Sequence, residues 1–87
     1  LVDQFVDRTY RRESSFFGKG LVAHVSMAHP VSPNLLNRID AAARAEGILP
    51  VSGGTYLCME GPQFSTLAES LTYQQLGYSV IGMTNMP

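Results

Sequence analysis

The chain has 87 residues, with six basic and seven acidic side chains and a formal net charge of −1. This nearly neutral balance argues against a nucleic-acid-binding protein and against a protein that binds anionic membranes. No apolar run is long enough to span a bilayer.

The first predicted element is a strand over residues 1–6, which read LVDQFV. A polar stretch with interspersed serine and glycine follows and predicts a solvated loop. Four of the six cations lie in it: Arg8, Arg11, Arg12 and Lys19. The apolar run from Leu21 to Val25 predicts a second, short strand, and Pro30 ends any regular structure after it.

A helix is predicted next, beginning at Pro33 and ending at Gly47. Ser32 has the side chain of a good N-cap, proline is favoured at the first helical position, and glycine is favoured just after the last. Apolar side chains recur within it at helical spacing, so we expect one buried stripe. Its members are Leu35, Leu36, Ile39, Ala42 and Ala43.

Residues 48–59 are predicted to be extended, with a bulge or turn at Gly53 and Gly54. This stretch holds the single cysteine, Cys58, which cannot form an internal disulfide. We expect it to be a buried small hydrophobe rather than a nucleophile. An unpaired thiol also fits a reducing compartment, so a cytoplasmic location is expected.

The last segment, Met59 to Pro87, reads as strand, turn, helix and strand. Thr66 and Glu69 have the spacing of a capping box, and Gly77 is suited to a left-handed helix stop. The mostly apolar run Tyr78–Met83 predicts a strand that is buried on both faces. The helix is expected to face the sheet with one apolar stripe, made of Phe64, Leu67, Ala68 and Leu71.

Strands and helices therefore alternate, which indicates an α/β fold with a parallel or mixed sheet flanked by helices. Folds of this type need more strands and helices than 87 residues supply. We expect residues 1–87 to be part of a single domain that is incomplete at both ends.

Two short clusters suggest where a ligand binds. In open parallel sheets, ligands lie beyond the carboxyl ends of the strands. Phe64 follows one predicted strand, and Met83 and Thr84 end the next. Taken alone, Phe64 is better explained as a core anchor of its helix; its position near the methionine and threonine favours a binding role instead.

Several familiar motifs are absent. The chain has no GxGxxG, Walker, HExxH or CxxC pattern, which argues against dinucleotide, P-loop, zincin and zinc-ribbon proteins. His24 and His29 have no convincing metal partners, so we expect no metal site.

The joint pattern E-G-P-x-F-x-x-x-A-E at residues 60–69 and G-M-T-x-x-P at residues 82–87 is specific. It resembles the trimeric purine nucleoside phosphorylases, and within them the methylthioadenosine enzymes. The resemblance covers nearly the whole chain. Residues 3–9 are similar to the family's strand that enters a mobile loop, and His24 with residues 27–30 is similar to the segment after that loop.

The resemblance implies a role for five residues. Phe64 matches the aromatic that packs on the purine, Met83 the methionine against the ribose, and Thr84 a hydroxyl that binds phosphate. His24 matches the histidine that reaches toward the 5′ end of a nucleoside held by the neighbouring subunit. Ser65 stands where the inosine- and guanosine-cleaving enzymes typically have a glutamate, which favours a 5′-alkylthio nucleoside.

The implied reaction is phosphorolysis of 5′-methylthioadenosine to adenine and 5-methylthioribose 1-phosphate, a step of purine and methionine salvage. Inorganic phosphate is the co-substrate, and neither a cofactor nor a metal is implied. The implied assembly is a homotrimer with shared active sites. The family's base-edge acid, glycine-rich phosphate loop and arginine–histidine pair have no match here, so the catalytic residues are not assigned, and Glu60 and Glu69 are not put in their place.

Three alternatives remain open. The substrate of the same enzyme family could be 5′-methylthioinosine or a 6-oxopurine nucleoside, because the residue that reads the purine edge is expected beyond Pro87. A non-enzymatic α/β binding module is the third reading, and it has less support from the motifs.

Overall fold

The computed structural model describes residues 1–87 and contains three strands and two helices. The strands form one parallel sheet in the order β1-β2-β3. The α/β prediction is confirmed. In chain order the elements are β1 (Gln4–Arg8), α1 (Pro33–Ala45), β2 (Thr55–Met59), α2 (Leu67–Gln75) and β3 (Val80–Gly82).

The sheet is centred on β2, which is hydrogen-bonded on both sides. Arg8 of β1 lies opposite Met59, and Gly82 of β3 lies opposite Cys58, so all three strands end at the same edge. Leu57 and Cys58 are the two fully buried residues of the chain. The expected burial of Cys58 is therefore confirmed, because a central strand is covered by its neighbours on either side.

A glycine pair, Gly53 and Gly54, leads directly into β2. Gly53 and Gly54 have φ angles of +87° and +111°, a region that only glycine enters without strain. The Gly54 carbonyl accepts hydrogen bonds from the backbone N–H groups of Asp3 and Gln4, at 3.1 and 3.3 Å. Neither the predicted bulge nor the predicted turn forms, because the two glycines lie just before the ladder between β1 and β2 begins. The Gly54 carbonyl instead joins the start of β2 to the start of β1. The extended stretch is shorter than predicted, since strand pairing begins only at Thr55.

Both helices have the predicted caps, although α2 begins only after Thr66, so Phe64, a predicted member of its apolar stripe, precedes the helix. Ser32 Oγ accepts the N–H of Leu35 at the start of α1, and Thr66 and Glu69 form a complete capping box on α2. Gly47 and Gly77 follow the two helices with φ angles of +78° and +82°. No helix is long and apolar enough to cross a membrane.

The predicted burial of the helix stripes is wrong for this chain. Leu35 of α1 is 55% exposed and Leu67 of α2 is 77% exposed. Val80 and Ile81 of β3, predicted to be buried on both faces, are nearly half exposed because β3 is an edge strand of this sheet. A stripe becomes a core only when another layer covers it, and these 87 residues do not supply that layer.

The strand predicted over Leu21–Val25 does not form. This stretch is irregular and exposed, with 81% of Val22 accessible. A strand requires a neighbour for its backbone N–H and C=O groups, and none of the three strands pairs with it. A segment with high β-propensity therefore does not form a strand here, because no neighbouring strand pairs with it.

Candidate active site at the carboxyl edge of the sheet

A cavity of about 320 Å³ lies at the edge where the strands end. We call it the edge cavity. Its walls come from the loop after β1, from residues 60–66 after β2 (the β2 loop) and from α2. Both charged and aromatic side chains line it, among them Arg8, Arg11, Glu60, Phe64 and Tyr73. Residues 83–87 after β3 (the β3 loop) begin at the same edge because the sheet is parallel.

Glu60, the first residue after β2, is held by several donors from the β1 side. Its Oε2 accepts the backbone N–H groups of Tyr10 and Arg11, each at 3.1 Å, and its Oε1 pairs with Arg12 Nε at 3.1 Å. The two backbone N–H groups and the guanidinium favour the charged form, and they lower the pKa of the Glu60 carboxyl to about 2. The carboxylate is therefore ionised at neutral pH.

Arg12 connects this hydrogen-bond network to the β3 loop. Its Nη1 donates to the Met86 carbonyl at 2.6 Å and lies 3.9 Å from Cys58 Sγ. The side chains of Arg12 and Glu60 are only 26% and 13% exposed. The prediction of a solvated loop is wrong for Arg12, because the partners that half-bury it are far away in sequence.

Phe64 lies in the β2 loop, before α2 begins, and is 86% exposed. It is not a core anchor of the helix, so that alternative is wrong within this chain. Its ring forms part of the edge cavity. Ser65, its neighbour, is half-buried, and its Oγ lies 2.8 Å from Ser70 Oγ, a contact that joins the β2 loop to the first turn of α2.

Met83 and Thr84 lie at the start of the β3 loop. The Met83 sulfur packs so closely on Gly61 that a Cβ added there would be 3.1 Å from it. Met83 therefore contacts the loop that carries Phe64. Thr84 follows with an exposed side chain.

His24 does not line the edge cavity. It is exposed within the irregular residues 21–30. The end of that segment lies at the opposite side of the sheet, where Gln4 Nε2 donates to the Ala28 carbonyl at 3.1 Å. Of the predicted site residues, only Phe64 lines the edge cavity. Ser65 lies beside it in the β2 loop, and Met83 and Thr84 lie in the β3 loop, which begins at the same edge of the sheet.

Sequence reasoning overlooked Arg12 and set Glu60 aside. A signal for Glu60 was available, because a carboxylate directly after a central strand must lie at the strand ends and requires partners there. Nothing in the sequence singled out Arg12 from the three neighbouring cations.

A three-stranded parallel core with an aromatic and a thioether at its carboxyl edge is typical of an α/β protein that binds a small molecule. The family model of the phosphorylase superfamily matches residues 1–87, and the chain belongs to this superfamily.

Curated relatives are similar over the full length of the chain. The S-methyl-5′-thioadenosine phosphorylase of Bradyrhizobium diazoefficiens is 76% identical over 87 residues, and that of Rhodospirillum rubrum is 67% identical over 87 residues. The match covers 100% of this chain, but the chain spans about 30% of the length of each relative.

Solved structures agree on the fold. A methylthioadenosine phosphorylase from an antarctic soil metagenomic library is 48% identical, with a TM-score of 0.88 over 99% of this chain and 31% of its own. The methylthioadenosine phosphorylase of Schistosoma mansoni in complex with adenine is 26% identical, with a TM-score of 0.91 over 98% of this chain and 38% of its own. The chain has the nucleoside phosphorylase fold, as the sequence predicts.

Proposed function

We propose that the protein to which this chain belongs is an S-methyl-5′-thioadenosine phosphorylase, which converts 5′-methylthioadenosine and phosphate to adenine and 5-methylthioribose 1-phosphate. One observation carries the proposal. The exposed ring of Phe64 and the Met83–Thr84 pair lie at one edge of the sheet, in a chain that is 76% identical to an enzyme of that name.

The proposed contacts follow from the chemistry of each side chain. Phe64 offers a flat apolar face on which a purine can stack. Met83 presents an unbranched thioether that fits the ribose, and the Thr84 hydroxyl donates a hydrogen bond to the phosphate nucleophile. These side chains position the two reactants, which is a large part of catalysis when a bimolecular reaction is made effectively unimolecular.

The reaction needs no covalent intermediate on the protein. Phosphate attacks the anomeric carbon while the bond to the purine nitrogen breaks, and the electron pair of that bond leaves with the base. The residues that protonate the base and bind most of the phosphate are proposed to lie outside these 87 residues. Neither a metal nor an organic cofactor is part of the proposal.

Ser65 is the proposed specificity residue. It leaves room beside the purine where a glutamate would bring a carboxylate, and a buried carboxylate is costly unless the base pairs with it. The proposed physiological setting is methionine and purine salvage in the cytoplasm, and the proposed assembly is a homotrimer in which His24 reaches a neighbouring subunit.

A substrate comparison tests the proposal. The full-length protein is incubated with phosphate and with 5′-methylthioadenosine, 5′-methylthioinosine or inosine in turn, and release of the free base is followed. The proposal predicts the highest kcat/KM for 5′-methylthioadenosine. Preference for 5′-methylthioinosine or inosine would replace it with the 6-oxopurine activity, and no base release from any of the three would contradict an enzyme of this class.

A further inference from the structure

We propose that Arg12 and Glu60 are positioning residues of this site: together they hold the three loops at the carboxyl edge of the sheet in the arrangement that brings Met83 and Thr84 to Phe64. We call the pair the Arg12–Glu60 clamp. The inference rests on the proposed function for the identity of the reactants, but the clamp itself is defined by contacts within this chain.

The carboxylate side of the clamp joins the loops after β1 and β2. Both carboxylate oxygens of Glu60 accept hydrogen bonds. Oε2 accepts two backbone N–H groups of the loop after β1. Oε1 accepts Arg12 Nε and, at 3.4 Å, the Gly61 N–H. An ionised carboxylate with its lone pairs used in this way is a poor proton acceptor. Its role is therefore to fix its neighbours rather than to exchange protons with a substrate.

The guanidinium of Arg12 connects Glu60 to the β3 loop. Arg12 Nε meets Glu60, while Nη1 of the same planar group donates to the Met86 carbonyl at 2.6 Å. Because the fork is rigid, the distance between Glu60 and the Met86 backbone is set by a single side chain. A lysine carries one compact charge and cannot span both partners with a fixed geometry.

The clamp bears directly on the residues proposed to bind substrate. Ladder pairing of β3 ends at Gly82, so the strands do not hold the β3 loop. Met86 fixes that loop two residues after Thr84, and Glu60 fixes the β2 loop four residues before Phe64. The contact of the Met83 sulfur with Gly61 lies between these two anchors. Releasing Arg12 would therefore loosen the β3 loop, with Met83 and Thr84, from the β2 loop, without removing any atom that is proposed to contact substrate.

The chain contains a matched control pair. Arg44 and Asp40 form an ion pair on α1, with Nε–Oδ2 at 2.6 Å, and the arginine side chain is 53% exposed. Neither residue lines the edge cavity, and ion pairs this exposed contribute little. Arg44→Gln therefore removes an arginine–carboxylate pair without touching the site.

The test compares Arg12→Ala, Arg12→Lys and Arg44→Gln in the full-length protein. Loss of a hydrogen bond to a charged group predicts that Arg12→Ala and Arg12→Lys lower kcat/KM for 5′-methylthioadenosine and for phosphate by about tenfold or more. Arg44→Gln should retain the wild-type value. Added guanidinium at millimolar concentration should restore part of the activity of Arg12→Ala, and ammonium should not, because only a planar fork can bridge Glu60 and Met86.

A second readout does not depend on activity. The backbone amides of Tyr10 and Arg11, which donate to Glu60, should exchange hydrogen faster in Arg12→Lys than in the wild type, while those of β2 exchange at the wild-type rate. The clamp is overturned if Arg12→Lys leaves both the exchange rates and kcat/KM unchanged. It is also overturned if Arg12→Ala loses activity only in proportion to the loss of folded protein and added guanidinium restores none of that activity. A wild-type protein without phosphorylase activity would instead overturn the proposed function, and the exchange experiment would still decide the clamp.

Discussion

The protonation state of Glu60 is determined by the hydrogen-bond donors that surround it. Two backbone N–H groups and a guanidinium meet a carboxylate that is mostly shielded from water. Each donor stabilises the ionised form, and this is why the pKa falls to about 2 from an ordinary value of 4.5. The group that sequence reasoning set aside as a catalyst is thereby explained as a structural anchor of the site.

The depressed pKa predicts a pH dependence of stability. A carboxyl whose pKa is lower in the folded state stabilises the protein above its unfolded pKa, and this contribution is lost as the pH falls from about 4.5 toward about 2. Glu60→Gln, which has no such titration, should therefore be destabilised relative to wild type at neutral pH, and the gap should narrow on acidification. The free energy of unfolding of both full-length proteins, measured as a function of pH, checks this. A gap that is constant with pH would be incompatible with the contacts of Glu60.

Thr84 gives a prediction about phosphate. If its hydroxyl binds the nucleophile, Thr84→Ala removes a hydrogen bond to a charged group, and the apparent KM for phosphate should rise by the equivalent of roughly 1.5–3 kcal/mol. Thr72→Ala is the matched control, because the Thr72 hydroxyl is already bonded to the Ala68 carbonyl on α2. Steady-state kinetics with phosphate varied at saturating nucleoside make the measurement. An unchanged phosphate KM with impaired nucleoside binding would move Thr84 out of the phosphate site.

At the scale of the elements, locally determined features were predictable. The Ser32 cap, the Thr66 capping box and the glycine stops at both helix ends depend on residues within a turn of one another. Such features can be read from a short window of sequence. The capping box also explains Glu69, which the sequence analysis placed at a helix start.

Features that depend on distant partners were not predictable. Residues 21–25 have the composition of a strand but no strand beside them, and the stripes of both helices lack a covering layer. Arg12 was assigned to solvent because its partners, Glu60 and Met86, are distant in sequence. The motif residues of the site were found through family resemblance, whereas the contacts that join their loops required the structure.

The pairing of β2 with β3 depends on a small residue. Gly82 lies beneath the Tyr56 ring, and a Cβ added at Gly82 would overlap the Tyr56 hydroxyl. Gly82→Ala should therefore force the ring or the strand to shift, with a loss of about 1–3 kcal/mol in the free energy of unfolding. Gly18→Ala is the control, because no atom lies within 4 Å of the added Cβ. Equal stabilities of the two variants, from denaturant unfolding of the full-length protein, would contradict the packing of Tyr56 on β3.

At the scale of the whole molecule, these 87 residues have very little interior. Two residues are buried, and large apolar side chains remain exposed on both helices and on the loop after β1. A chain of this length that folds alone buries well over half of the surface that it exposes when unfolded. The homologous enzymes are about three times as long, so the experiments above use the full-length protein.

His24 provides the prediction about assembly. It is exposed and does not line the edge cavity of its own chain, so its side chain is free to contact a neighbouring subunit. We expect a closed cyclic trimer in solution, in which His24→Ala weakens binding of 5′-methylthio substrates with little effect on phosphate. His29→Ala is the control, because His29 lies near α1.

Subunit mixing tests the same prediction directly. His24→Ala subunits are mixed with subunits that carry substitutions at both Met83 and Thr84. Some mixed trimers then combine an intact His24 with an intact neighbouring pocket, so activity should partly return. A fully active monomer, or no recovery in verified mixed trimers, would leave His24 as an ordinary loop residue.

We propose that this site performs phosphorolysis of 5′-methylthioadenosine. Full-length protein is incubated with 5′-methylthioadenosine and inorganic phosphate, adenine is quantified, and ³¹P NMR follows the phosphate. We predict that adenine and a new sugar phosphate monoester form in equal amounts and that neither forms when phosphate is omitted. Adenine released at the same rate without phosphate would indicate hydrolysis instead, and no adenine at all would exclude this substrate.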